Sequence, residues 1–63
     1  MDNESEKHRI HLFVEKGNYH AAINLAISTV NECRRNNDQA GVDIFLDISK
    51  RVIHKMTEEF VSQ

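Results

Sequence analysis

From Tyr19 to Cys33 the chain sets Tyr19, Ala22, Ile23, Ala26, Ile27, Val30 and Cys33 at steps of three and four. Such spacing gathers side chains on one stripe of an α-helix and predicts a helix over residues 19–35. Arg34 and Arg35 close it, where positive charge suits the negative end of the helix dipole. A second run, Val42, Phe45, Leu46, Val52, Ile53, Met56 and Phe60, keeps the helical period. On a wheel at about 100° per residue these positions form one arc, with Asp43, Asp47, Arg51 and Lys55 as a polar ridge opposite. The run predicts a longer third helix, capped by Asn37 or Asp38 and reaching about residue 61. Its β-branched stretch "VDIFLDI" would suit a strand alone, but the period continuing through Phe60 argues for a helix. The first segment has a shorter stripe, Ile10, Phe13 and Val14, and predicts a helix over residues 4–16. Asn3 is its expected N-cap, with Glu6 completing a capping-box pair.

Punctuation fixes how these elements connect. There is no proline, and the two glycines are Gly17 and Gly41. Gly17 stands where a helix favours a left-handed C′ residue, and Asn18 follows as N-cap of the next helix. A turn that short makes the first two helices antiparallel. Residues 36–41, "NNDQAG", are expected as the only real loop, and no internal repeat is visible. The expected fold is all-α: a three-helix bundle of an antiparallel hairpin plus a longer third helix, within one domain covering residues 1–63.

The stretch "KGNYHAAI" resembles the inter-helix turn of a tetratricopeptide repeat over roughly residues 13–30. Gly17 matches the turn glycine, Tyr19 the packing aromatic, Ala22 the small residue at the helix crossing and Ile23 its apolar neighbour. Phe13 and Val30 fall on further apolar positions of that pattern. The chain departs from it at Arg9, Ile10 and Thr29, and lacks the proline that ends the repeat. A similar turn occurs in the three-helix MIT (microtubule-interacting and trafficking) domain, whose length also fits. Either resemblance implies protein binding without chemistry of its own. A lone repeat cannot cover its faces, so the third helix or a second copy would have to serve as the cap.

Composition narrows the function classes. At 63 residues, with 40% hydrophobic and 29% charged residues, the chain suits a small folded domain near the lower size limit. Cys33 is the single cysteine, so no internal disulfide can brace it, and a reduced, cytoplasmic setting is expected. Self-association would supply the missing stability, and a homodimer is expected. The net charge of −2 lacks the basic excess that phosphate binding demands, and no apolar run suits a membrane span. No cofactor is expected, since no glycine-rich phosphate loop or metal-ligand grid is present.

Candidate functional residues are the apolar side chains off the main stripes: Leu12, Leu25, Ile44 and Ile48. Ile44 and Ile48 are four apart and widen the third helix's apolar arc beyond what one seam needs. With Asp43, Asp47, Arg51 and Lys55 around them, they are the expected partner-binding or self-association face. Asp47–Arg51 is a favourable i, i+4 pair. His8, His11 and Glu15 could share a face as metal ligands, but a solvated helix surface is the expected reading. Cys33 lies on the inward stripe and is expected to be a buried, unreactive thiol. No catalytic constellation is evident, and a non-enzymatic adaptor or antagonist that docks by helix faces is expected. The alternative is a small dimeric helix-turn-helix-like nucleic-acid-binding regulator. Asp38, Asp43 and Asp47 on its would-be recognition helix argue against that.

Overall fold

A computed structural model describes residues 3–61. They form three helices, α1 (Asn3–Glu15), α2 (Tyr19–Arg35) and α3 (Gln39–Val61), with no strand among the described residues. The all-α three-helix architecture read from the sequence is therefore present.

One device builds both turns. After α1, the Gly17 amide donates to the Val14 carbonyl at 3.0 Å and the Asn18 amide to the Phe13 carbonyl at 2.9 Å. After α2, Asn37 donates to Arg34 at 3.1 Å and Asp38 to Cys33 at 2.8 Å. This is the Schellman pattern, which satisfies carbonyls a helix end would otherwise leave unpaired. It needs a left-handed residue at C′, filled by Gly17 (φ 77°) and by Asn37 (φ 57°). The next residue then caps the following helix: Asn18 Oδ1 accepts from the Ala21 amide at 3.3 Å, and Asp38 Oδ1 from the Gly41 amide at 3.0 Å. The expected loop over residues 36–41 is thus shorter than predicted. Gln39, Ala40 and Gly41 already belong to α3. Asn3 is itself helical rather than the cap, and the position before it lies outside the described residues. Glu6, its expected capping partner, is buried and meets Arg9 at 3.4 Å.

α2 is the shared element. It packs along both neighbours, whereas α1 and α3 meet only sparsely, in a body 41 × 16 × 13 Å across. At one end of the α2–α3 pair, Tyr19 Oη donates to Glu59 Oε1 at 2.5 Å. At the other, Gly41 lies against Cys33. These two contacts fix α2 and α3 as antiparallel along the length of α2. The core is Ile10, Ala22, Ala26, Val30, Cys33, Val42, Phe45 and Val52, with Phe13, Val14, Tyr19, Ile23, Leu25, Leu46 and Ile48 packed around it. Ala22 and Ala26, fully buried, let the neighbouring helices approach α2 closely. Two buried hydroxyls bond to their own helix, Thr29 to the Leu25 carbonyl at 2.8 Å and Ser49 to the Leu46 carbonyl at 2.7 Å. Neither therefore carries the penalty of an unpaired polar group.

Three residues expected in the core stripes are instead exposed: Ile27 (47%), Ile53 (45%) and Phe60 (76%). The cause is the arrangement of the helices. α1 covers one flank of the α2–α3 pair, and Ile27 and Ile53 point to the other. α3, with 23 residues against 17 in α2, is longer by roughly 9 Å at 1.5 Å per residue. Phe60 lies near the C-terminal end of α3, at the edge of a small recess that it lines with Tyr19, Met56 and Glu59, so only the first residue of α2 comes near it.

Candidate interaction surfaces

The sparse contact between α1 and α3 leaves a groove of about 240 Å³ between them. Ile10 and Val14 from α1 and Ile48 and Val52 from α3 form its apolar floor, and Lys7, His11 and Arg51 form its rim. Toward the Gly17 turn it runs into a second, more polar recess where His11, Lys16 and Lys55 meet Glu15 and Glu59. The rim side chains sit in surface pairs: Lys7–Glu4 at 3.2 Å, His11–Glu15 at 2.9 Å and Arg51–Asp47 at 2.9 Å. Exposed pairs of this kind are worth about 0–1 kcal/mol, so they give way readily to a better-placed anion.

The residues predicted as one face are distributed over several. Ile48 and Arg51 line the groove and Lys55 stands at its end. Ile44 is 38% exposed, on the same side of α3 by helical spacing. Asp47 is turned to Arg51, and Asp43 accepts from Gln39 Nε2 at 3.0 Å on the outer side. Leu25 packs against the core, so it is no surface anchor. Leu12 is exposed on the side of α1 turned away from its neighbours. Ile48 also packs against the core, so Ile44 and Ile48 are not equivalent anchors.

The sequence reading missed the opposite face. There Ile27 of α2 and Ile53 and Phe60 of α3 are exposed, while Ile23 and Leu46 are partly buried against the core. One signal was available: Leu46, Ile53 and Phe60 are spaced by seven, a flank of the α3 arc distinct from the Phe45–Ser49–Val52 side that is buried.

Among the described residues no group of three or more His, Cys, Asp or Glu side chains is placed to hold a metal ion. His11 and His54 each pair with a glutamate one turn on, Glu15 and Glu58, both at 2.9 Å. No described helix is long and apolar enough to cross a membrane. α2 and α3 run antiparallel in contact along their length. A helix-turn-helix reader instead crosses its pair at about 90–120° to free the second helix for a groove.

Cys33 is buried, and that burial pushes its thiol above the usual range, with the nearby Asp38 and Glu32 carboxylates adding to the shift. Its pKa is higher folded than unfolded. Its contribution to stability is therefore complete below the ordinary thiol value of about 8.5 and is lost as pH rises through the folded value. Urea titrations from pH 7 to 10 should show stability falling above pH 8.5, with a shallower fall in Cys33→Ala. Identical pH profiles would contradict this account. Tyr19 is shifted upward as well, chiefly by its bond to Glu59, and acts at still higher pH.

No family model, curated protein or solved structure matches the chain.

Proposed function

We propose that this chain is a non-enzymatic protein–protein interaction module, a small adaptor or antagonist that docks on a larger partner through its helix faces. The observation that carries this reading is the open α1–α3 groove, with its apolar floor of Ile10, Val14, Ile48 and Val52 beneath a cationic rim. Helix-in-groove recognition uses apolar anchors for affinity and flanking charge for orientation, so a helical segment with acidic flanks suits it. The tetratricopeptide-like or MIT-like turn at residues 17–19 fits the same reading. The recesses of the described surface are shallow, and the His11–Glu15 and Arg51–Asp47 side chains around them are paired with one another, which offers little to a reacting substrate. A cytoplasmic location belongs to the proposal, supported by the single buried, reduced Cys33.

The test is affinity capture with two baits, the natural chain and the double charge reversal Arg51→Glu with Lys55→Glu. Both positions are exposed, so the two baits should share the same far-UV circular dichroism. A protein retained by the natural chain and reduced at least about tenfold on the reversed bait is the expected result, consistent with rim charges steering encounter. Equal retention of the same proteins by both baits would remove the groove from the proposal.

A further inference from the structure

We infer that the occupant of the α1–α3 groove is an amphipathic helix with an acidic first turn, lying antiparallel to both walls with that turn over Lys16 and Lys55. The inference rests on the docking reading above and adds to it the direction and residue pattern of the partner segment.

Topology is the first argument. The short turn at Gly17 and Asn18 sets α1 antiparallel to α2, and the Tyr19–Glu59 and Cys33–Gly41 contacts set α3 antiparallel to α2. The two groove walls are therefore parallel to each other, with like dipole ends side by side. A helix laid between them in the opposite direction has an antiparallel neighbour on each side. With α2 behind, it completes the up-down-up-down arrangement of a four-helix bundle. In the other direction three neighbouring helix dipoles would point the same way.

Charge is the second argument, and it selects the same direction. Toward one end of the groove the cations are already engaged, Lys7 with Glu4 and Arg51 with Asp47. At the Gly17 end, Lys16 and Lys55 line the recess and make no ion pair among the described residues. The carboxylates beside them are engaged, Glu15 with His11 and Glu59 with the Tyr19 hydroxyl. Carboxylates of an occupant therefore find unpaired partners at this end. A helix carries carboxylates best in its first turn, against the positive end of its own dipole. Both walls run toward the Gly17 end, so an occupant that starts there is the antiparallel one.

The walls also set a pattern. From Ile48 to Glu59 the groove and recess follow α3 for roughly 17 Å at 1.5 Å per residue, room for about eleven helical residues. The floor repeats after one turn on each wall, Ile10 to Val14 and Ile48 to Val52, which suits apolar residues three or four apart. Lys55 is three residues beyond Val52, so the acidic positions fall about one turn ahead of the first apolar one.

The probe is a synthetic amphipathic peptide of about fourteen residues, with glutamates in its first turn and leucines at steps of three and four, titrated into the full natural chain. A nitroxide on the peptide's N-terminus should broaden the amide signals of residues 14–17 and 55–59, and one on its C-terminus those of residues 5–8 and 45–48. Lys16→Glu with Lys55→Glu should weaken binding at least about tenfold at unchanged far-UV circular dichroism, since both positions are exposed. Arg34→Glu, an exposed cation outside the groove, should leave it unchanged. Broadening in the opposite sense overturns the inference. So does equal affinity for the peptide with glutamine in place of glutamate, or no binding at hundreds of micromolar. Retention on anionic vesicles that the same two substitutions abolish would assign the lysines to a lipid surface and overturn it as well. A peptide bound in the opposite sense, yet released by Arg51→Glu with Lys55→Glu, would remove the direction and leave docking in the groove standing.

Discussion

Replacing Phe45 with alanine is expected to remove most of the stability of this protein. Phe45 is the largest side chain buried without residual exposure, and it sits where α3 crosses the alanine-rich stripe of α2. Truncating a buried phenylalanine costs about 3–5 kcal/mol, because the transfer term is joined by a cavity that its neighbours fill only in part. A 63-residue domain holds roughly 3–9 kcal/mol in total, at about 0.05–0.15 kcal/mol per residue. The urea midpoint of Phe45→Ala should therefore approach zero denaturant, read by far-UV circular dichroism. Phe60→Ala is the control: it removes the same side chain from the same helix, but at a position 76% exposed. In the monomer it should change stability by less than about 0.5 kcal/mol, as ordinary surface substitutions do. Equal losses from the two would contradict the exposed placement of Phe60.

Gly41→Ala should also destabilise, against its helix propensity. In the interior of an exposed helix alanine is better than glycine by about 1 kcal/mol. Here a Cβ would lie 2.6 Å from the buried Cys33 sulfur and 2.5 Å from Asp38 Oδ2. The sulfur is hemmed in by the core, and the Asp38 carboxylate is already capping α3 through its other oxygen. Overpacking of this kind typically costs about 1–3 kcal/mol, enough to outweigh the propensity gain. A double-mutant cycle identifies the cause. In a Cys33→Ala background the sulfur is gone, and Gly41→Ala should become clearly less costly. Strict additivity of the two changes would assign the penalty elsewhere.

These two residues mark the boundary of what the sequence makes legible. The first turn was readable because Gly17 and Asn18 carry their conformational roles in their side chains, one by lacking a Cβ and one by capping. The second turn uses the same geometry but fills its left-handed position with Asn37, so residues 36–41 read as a longer loop. Helical period located the stripes, since period depends only on the chain itself. It could not say which edge of a stripe would be covered. That depends on the number of neighbours and their lengths, which is why Ile27, Ile53 and Phe60 are exposed although they share the core stripes, while Leu25 packs against the core and Ile48 both packs against it and lines the groove. Gly41 read as punctuation between helices. Its role in the close approach to Cys33 requires the register between α2 and α3, a property that no single segment holds.

The near absence of contact between α1 and α3 has a thermodynamic consequence. α1 is the shortest helix and is anchored along one neighbour only. Short elements with few buried contacts open locally at a lower free energy than the whole domain. The groove has α1 as one of its two walls, so it exists only while α1 is docked. Anything lying in it touches both walls and so binds the closed form alone, which by mass action holds α1 in place. Filling the groove and securing the N-terminal helix are thus a single linked equilibrium: occupancy would show itself as slowed hydrogen exchange along α1, at amides a ligand need never touch.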